Sequence, residues 1–376
     1  MNILYFFTYD YSLKIWSESG QLDRELKHFE KLHEKNNEIK FTLVTYGAEE
    51  DIKFLEKDYI EIIPIYKYLK KSKYKLFDFF NSIFFYKTIK KALANKPTLI
   101  LQNQLLGCWV SYILKKKLKI PMIIRTGYDM YEFSIREKKK FYKRILYKYL
   151  TLFGLSNCDM YTVTSNCDKE FLAQNFQQKY IDKIKIRKNW IDAKDSLDLE
   201  NKRFEFNKLI SIGRLESQKN YPLIFQALEN TNFQLDIYGE GSQKQELYEL
   251  AKDLNIKVNF MGILNNEKLI RELTKYQYYL TASTYEGNPK SVLEAMLSGC
   301  IVIASNIKNH IEFLNDSNAL LFKSDNLQDL KNALNKIKEK IDLKELKSNS
   351  ISTVKTGYNL NILTDQELED YYYLAS

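Results

Sequence analysis

Short apolar runs alternate with amphipathic stretches along almost the whole chain. In the C-terminal half, residues 209–213, 233–238, 257–261, 278–282 and 301–305 read as strands. Helices are expected between them, opening at Asn220, Gln243, Asn266 and Pro289, the last stopped by Gly299. The N-terminal half has the same rhythm. Strands are expected near 2–7, 41–45, 60–65, 98–102, 121–125, 159–164 and 184–187, and helices near 21–35, 76–94, 105–118, 137–155 and 166–175. Alternation of this length implies parallel sheets covered on both faces, with ligands at the carboxyl ends of the strands.

With 376 residues the chain exceeds what one core usually holds. Two doubly wound domains are expected, 1–195 and 196–352, joined near 192–206 where periodicity fades. Residues 353–376 form a C-terminal helix whose destination the pattern leaves open, the N-terminal domain being one choice. The uncharged run 97–114 carries Gln102, Asn103, Gln104 and Ser111, each costly in hydrocarbon, so a buried strand and a core helix are expected there. Met1 leads straight into an apolar run with no basic segment before it, so no signal peptide is expected.

Composition changes the picture little and charge changes it more. Cys108, Cys158, Cys167 and Cys300 show no metal-ligand spacing and read as reduced thiols; His28, His33 and His310 are scattered and read as packing or surface residues. The net charge of +9 is concentrated in 51–150, where 23 basic residues face 8 acidic ones. Basic residues mix with aromatics in 67–93 and 136–149. These segments suit an anionic membrane surface or nucleic acid, and a solvated face over a core helix is the plainer reading. Two such runs favour the membrane over a solvated face, and no nucleic-acid partner is expected.

Three loops after C-terminal strands hold the candidate chemistry. Gly213 and Arg214 precede Lys219 at a helix start, a setting that suits a polyphosphate. Gly239 and Gly241 lie in the next loop, serving either a ligand or a tight turn. In the third, Glu286-Gly287-Asn288-Pro289-Lys290-Ser291 leads to Glu294: one carboxylate in the loop, the other inside the helix, each able to accept from sugar hydroxyls, while N–H groups of 288–291 would meet phosphate.

These residues resemble the large family 4 of retaining glycosyltransferases, with the GT-B fold of two Rossmann-like domains facing a central cleft. The Glu-x7-Glu motif is matched by Glu286 and Glu294, with Ala295, Met296 and Gly299 behind it. The stretch Ile212-Gly213-Arg214-Leu215 with Lys219, the turns Gly239-x-Gly241 and Phe260-Met261-Gly262, and Asn189-Trp190-Ile191-Asp192 match further segments. The likeness is strong over 185–325 and in outline over 1–185. It implies that Arg214 and Lys219 neutralise a departing diphosphate, that Glu294 holds ribose, and that Glu286 holds the transferred sugar. Met261, Gly262 and Ile263 would face the base. Front-face transfer without a metal or other cofactor follows, and no Asp-x-Asp occurs. The donor would be a UDP- or GDP-sugar and the acceptor lipid-linked or glycan, in the cytoplasm and peripheral to the inner membrane face. The first domain departs from the pattern, lacking a Gly-Gly turn after its first strand; Gly20, Arg125 and Asp129 are its candidates for lining the cleft, a structural turn and an ion pair being equally open readings. Another GT-B enzyme such as a sugar-nucleotide epimerase, or a non-catalytic anion or nucleic-acid binder, are the alternatives.

Overall fold

The computed structural model describes residues 1–192, 207–337 and 343–375. The expected junction at 192–206 thus lies, apart from Asp192, outside the described residues. The chain divides into two compact units, Met1–Lys188 with Thr364–Ser376, and Asn189–Leu363. The described elements form two parallel α/β sheets, one in each unit, as expected for the GT-B fold.

Unit 1 begins β1 (Asn2–Phe6), α1 (Leu13–Glu18), α2 (Leu22–Lys35), β2 (Lys40–Thr45), β3 (Ile60–Pro64), α3 (Ile65–Tyr68), α4 (Lys75–Ser82) and α5 (Phe85–Ala92). It continues β4 (Leu99–Asn103), α6 (Cys108–Leu118), β5 (Met122–Arg125), α7 (Met130–Arg136), α8 (Phe141–Asn157), β6 (Met160–Val163), α9 (Asn166–Asn175), α10 (Gln178–Ile181) and β7 (Ile184–Ile186). Its strands run β3-β2-β1-β4-β5-β6-β7, all parallel, with Ile3 opposite Phe41 on one side and Leu99 on the other. Leu4, Ile100 and Ile124 are fully buried, as strands covered on both faces require.

The helix expected near 76–94 is split. Between α4 and α5, the Ser82 hydroxyl donates back to the Phe79 carbonyl and competes with helical bonding. The stretch expected near 137–155 is preceded by α7, and Lys138 takes a left-handed φ of 50° that separates α7 from α8. The uncharged run 97–114 forms β4 and the first turns of α6. No described helix is long and apolar enough to cross a membrane.

Unit 2 holds β8 (Lys208–Ile212), α11 (Tyr221–Leu228), β9 (Gln234–Tyr238), α12 (Lys244–Asp253), β10 (Lys257–Gly262), α13 (Asn266–Leu273), β11 (Tyr278–Thr281) and α14 (Lys290–Leu297). Then come β12 (Ile301–Ser305), α15 (Lys308–Ile311), β13 (Leu320–Phe322), α16 (Leu327–Lys336), α17 (Leu343–Gly357) and α18 (Leu360–Ala375). Its sheet runs β10-β9-β8-β11-β12-β13, again parallel. The strand order reverses between β8 and β11, so the loops after these two strands flank the switch point where ligands of such sheets bind.

From Thr364 onward α18 counts with unit 1. Glu367 meets His28 of α2, Asp370 accepts two bonds from Arg187 at 2.7 and 2.6 Å, and Tyr371 is buried. Arg187 takes both oxygens of Asp370 in its planar fork, the stronger kind of ion pair.

A carboxylate and cation site at the sheet switch point of unit 2

The loop after β8 and the loop after β9 close on each other. Leu215 N–H donates to the Glu240 carbonyl and Gln243 N–H to the Leu215 carbonyl, while Glu216 accepts from both the N–H and hydroxyl of Ser242. Gly239 has φ 151°, and a Cβ there would lie 1.9 Å from the Gly213 carbonyl oxygen; at Gly241 it would lie 2.3 Å from the Leu215 carbonyl oxygen. Of the two roles open to these glycines, loop-to-loop approach is the one this geometry demands. Gly213 lacks a side chain where Lys219 crosses it, its absent Cβ falling 2.6 Å from Lys219 Cε.

So guided, the Lys219 ammonium reaches Glu286 Oε1 at 2.5 Å. The Ser283 hydroxyl donates to the same oxygen at 2.7 Å, and Gln218 Nε2 donates to Oε2 at 3.1 Å and to the Tyr285 carbonyl at 2.8 Å. The loops after β8 and β11 are therefore joined across the switch point. Burial pushes the Glu286 carboxyl up, but the Lys219 charge and the Lys219 and Ser283 hydrogen bonds, with His310 nearby, outweigh it and hold it below the usual carboxylate range. Arg214 is exposed and makes no ion pair among the described residues.

Pro289 occupies the cap position of α14, one residue earlier than a first-turn proline, where its missing N–H costs nothing. No side chain caps this helix. Its positive end thus opens beside the Lys219–Glu286 pair. Lys290 stands over the Trp190 ring, 4.4 Å from its centre, and the Asn288 carbonyl accepts from the Asn189 amide. Glu294 is buried inside α14, where Asn266 Nδ2 donates to it at 2.7 Å. Met261 and Ile263 expose their side chains where β10 ends, on either side of Gly262. Asn220 stands before α11 without capping it; its amide bonds Asp325 at 2.8 Å.

Lys219 and Glu286 are in contact; Arg214 lies in the loop of the first, and Glu294 in the helix that follows the second. Two residues not singled out in the sequence complete the arrangement. The Tyr279 hydroxyl, fully buried, donates to the Ile212 carbonyl at 3.3 Å and bonds the Ser291 hydroxyl at 3.1 Å, joining the end of β8 to the first turn of α14. His310 is buried, its Nδ1–H on the Ser305 carbonyl at 2.8 Å; the Ser305 hydroxyl in turn donates to the Ser283 carbonyl at 2.6 Å. Burial keeps the imidazole below its usual range against the pull of Glu286. A tyrosine in a strand and a histidine in a short turn carry no local signature, so neither stood out.

The candidates in unit 1 are engaged otherwise. Gly20 closes α1 with φ 70°. Arg125 is paired within the unit to Glu25 at 3.8 Å. Asp129 is buried as the cap of α7, accepting from Tyr131 and Glu132 N–H groups at 2.9 and 3.0 Å and from Thr151 at 2.9 Å. Of the two readings open for each, the structural one is what these contacts support.

Residues 195–352 match the family described as glycosyl transferases group 1. Over 228 residues the chain is 28% identical to the N-acetylgalactosamine-N,N'-diacetylbacillosaminyl-diphospho-undecaprenol 4-alpha-N-acetylgalactosaminyltransferase of Campylobacter jejuni, a match covering 58% of this chain and 62% of that one. A second Campylobacter jejuni relative, an α-1,4-N-acetyl-D-galactosaminyltransferase, is matched over 51% of its length at 25% identity. The chain thus spans between half and two thirds of these two relatives. A match to the UDP-Gal:alpha-D-GlcNAc-diphosphoundecaprenol alpha-1,3-galactosyltransferase of Escherichia coli is 24% identical and covers 85% of this chain and 80% of that one. Among solved structures, HepE of Anabaena in complex with UDP and glucose superposes with TM-score 0.74 at 15% identity over 100% of both chains. The sucrose-phosphate synthase of Thermosynechococcus elongatus superposes with TM-score 0.77 at 16% identity, covering 100% of this chain and 99% of that one.

Proposed function

We propose that the protein is a retaining glycosyltransferase that moves a hexose-type sugar from a UDP- or GDP-sugar to a lipid-linked or glycan acceptor. It would work in the cytoplasm, peripheral to the inner face of the membrane, in synthesis of cell-envelope polysaccharide or glycolipid. The observation that carries this reading is the Lys219–Glu286 pair beside the uncapped mouth of α14 at the switch point. Relatives named for undecaprenol-linked acceptors support the acceptor class.

The pair accounts for how a diphosphate and a sugar would be taken up together. Phosphate oxygens at the mouth of α14 would compete for Lys219 and draw it off Glu286, while Arg214 turns in from solvent. Glu286 Oε1, still fixed by Ser283, then has room for a sugar hydroxyl. Glu294 would take ribose hydroxyls, and the stretch Met261–Gly262–Ile263 would face the base. In transfer, the bond from the sugar's anomeric carbon to the diphosphate breaks as the acceptor oxygen bonds to the same face, and a donor phosphate oxygen takes the acceptor proton. Arg214, Lys219 and the helix end stabilise the charge left on the diphosphate, which is the main electrostatic task. No metal is given a part, so chelator should leave the rate unchanged.

The test is transfer of labelled sugar from UDP- and GDP-sugars into a polyprenyl-diphosphate-linked acceptor. Glu286→Gln should lower transfer about a hundredfold or more while UDP or GDP still raises the unfolding temperature. A wild-type protein that converts the donor equally well without acceptor would overturn the reading in favour of an epimerase.

A further inference from the structure

Helix α4 is inside out. The residues it buries are Asp78 and Ser82, whereas Leu76, Phe77 and Phe80 face solvent. The inward polar pair is fully used: Asp78 accepts from the Ser72 N–H at 2.7 Å, and Ser82 accepts from Trp109 Nε1 at 2.8 Å. Phe77 is 62% exposed, and Phe84 just beyond the helix is 58% exposed. A helix that met only water on this side would carry the opposite polarity.

The start of α8 has the same character. None of its first ten residues is buried; Phe141, Tyr142, Leu146 and Tyr149 are all more than half exposed. Thr151 reaches Asp129, a few residues past the end of β5, so residues 141–150 run beyond the sheet by about 15 Å at the usual helical rise. The two apolar surfaces belong to one side of unit 1. Trp109 of α6 meets Phe79 edge to face at 5.1 Å and Tyr9, just after β1, at 5.4 Å, which puts α4 at the carboxyl edge of the sheet. Tyr112 of the same α6 packs on Phe153 of α8 at 5.3 Å.

Cations frame both surfaces. Lys73, Lys75, Lys140 and Lys143 make no ion pair among the described residues, and the only acidic residue in 67–93, Asp78, is turned inward. Exposed rings bordered by lysines, with the nearby carboxylate hidden, complement a layer whose surface is anionic and whose interior is apolar. Rings would sit at the depth of the headgroups and the ammonium groups at the phosphates.

We propose that unit 1 docks on an anionic lipid bilayer through the outward face of α4 and the projecting start of α8. This deepens the proposed function, on which it rests for one point: a lipid-linked acceptor would then reach the carboxyl edge of the sheet from the surface on which the protein sits.

The experiment is sedimentation of the full chain with vesicles of equimolar phosphatidylglycerol and phosphatidylcholine, and with phosphatidylcholine alone. Partitioning should be at least about tenfold stronger on the anionic vesicles and should weaken as salt is raised. The triple variants Phe77→Ser/Phe80→Ser/Phe84→Ser and Lys138→Gln/Lys140→Gln/Lys143→Gln should each lower it about tenfold or more. Both change exposed side chains, so the unfolding temperature and its rise with UDP or GDP should stay as in the wild type. Equal binding to both vesicles, or variants that bind as the parent does, overturns the proposal. So does a self-associated form that the serine variant dissolves while no vesicle binding occurs, or duplex DNA binding in its place. Vesicle binding with no glycosyl transfer would sink the proposed function alone; transfer to detergent-dispersed acceptor with no vesicle binding would sink this inference alone.

Discussion

The carboxyl edges of the two sheets are built alike and use their polar residues differently. In unit 1 the carboxylates behind that edge are consumed by the fold: Asp51 takes the N–H groups of Leu13 and Lys14 and the hydroxyl of Thr45, and Asp129 caps α7. In unit 2 the loop carboxylate is held by a lysine side chain, and the helix beside it has no cap at all. A backbone cap is a permanent partner, whereas an ammonium on a flexible stem can be exchanged for a phosphate oxygen. The same scaffold therefore makes a closed edge or a binding edge according to whether its acids are bound by backbone or by another side chain.

The largest effect expected is from Gly239→Ala, which drives a methyl group into the Gly213 carbonyl and forces apart the two loops that aim Lys219. It should cost on the order of 4 kcal/mol of stability and abolish nucleoside diphosphate binding, read by thermal unfolding with and without ligand. Unchanged unfolding would mean that the loops are not locked together. Next, Lys219→Met should weaken UDP or GDP binding about tenfold to a hundredfold by calorimetry, because it removes the exchangeable cation. An unaltered affinity would erase the distinction between the two edges.

A smaller effect separates the units by pH. Burial pushes Asp129 up to about 6, and Asp168 up to about 7, each from an ordinary value near 3.8. A carboxyl whose folded value exceeds its unfolded one stabilises while protonated, below the unfolded value, and that contribution is lost as pH rises through the folded value. Unit 1 should therefore lose stability between about pH 4 and about pH 7, and Asp168→Asn should recover on the order of 1 kcal/mol of it at the upper end. Glu286 is displaced in the opposite sense, so its contribution should persist until the solution is more acidic than the usual carboxylate range. Smallest of all, Asp129→Asn keeps a capping side chain and should leave transfer per folded molecule unaltered. A large loss there would restore this residue to the active edge.

Much of this was legible in the pattern of the chain. All seven strands of unit 1 and five of the six in unit 2 lie where apolar runs end in turn residues; the exception, Leu320–Phe322, is too short to carry a period. The spacing of Glu286 and Glu294 was readable because a helix converts it directly into depth below the mouth. Other features depend on facts no local window contains. For residues 76–84 apolar spacing says which residues share a face and nothing about which face meets the sheet. Arg125 meets Glu25, and Asp129 meets Thr151, across separations that no local window spans. The destination of α18 rests on His28 and Arg187, which lie far from it along the chain.

That last feature sets an order of events on the ribosome. The final stretch of unit 1 is translated only after all of unit 2, a delay on the order of ten seconds at ordinary elongation rates. Until then His28 and Arg187 wait for Glu367 and Asp370, and the seat of Tyr371 stands open to water. The first unit to emerge is thus the last to be completed, and a nascent chain halted before Thr364 should carry a protease-resistant unit 2 behind a unit 1 that proteases still cut.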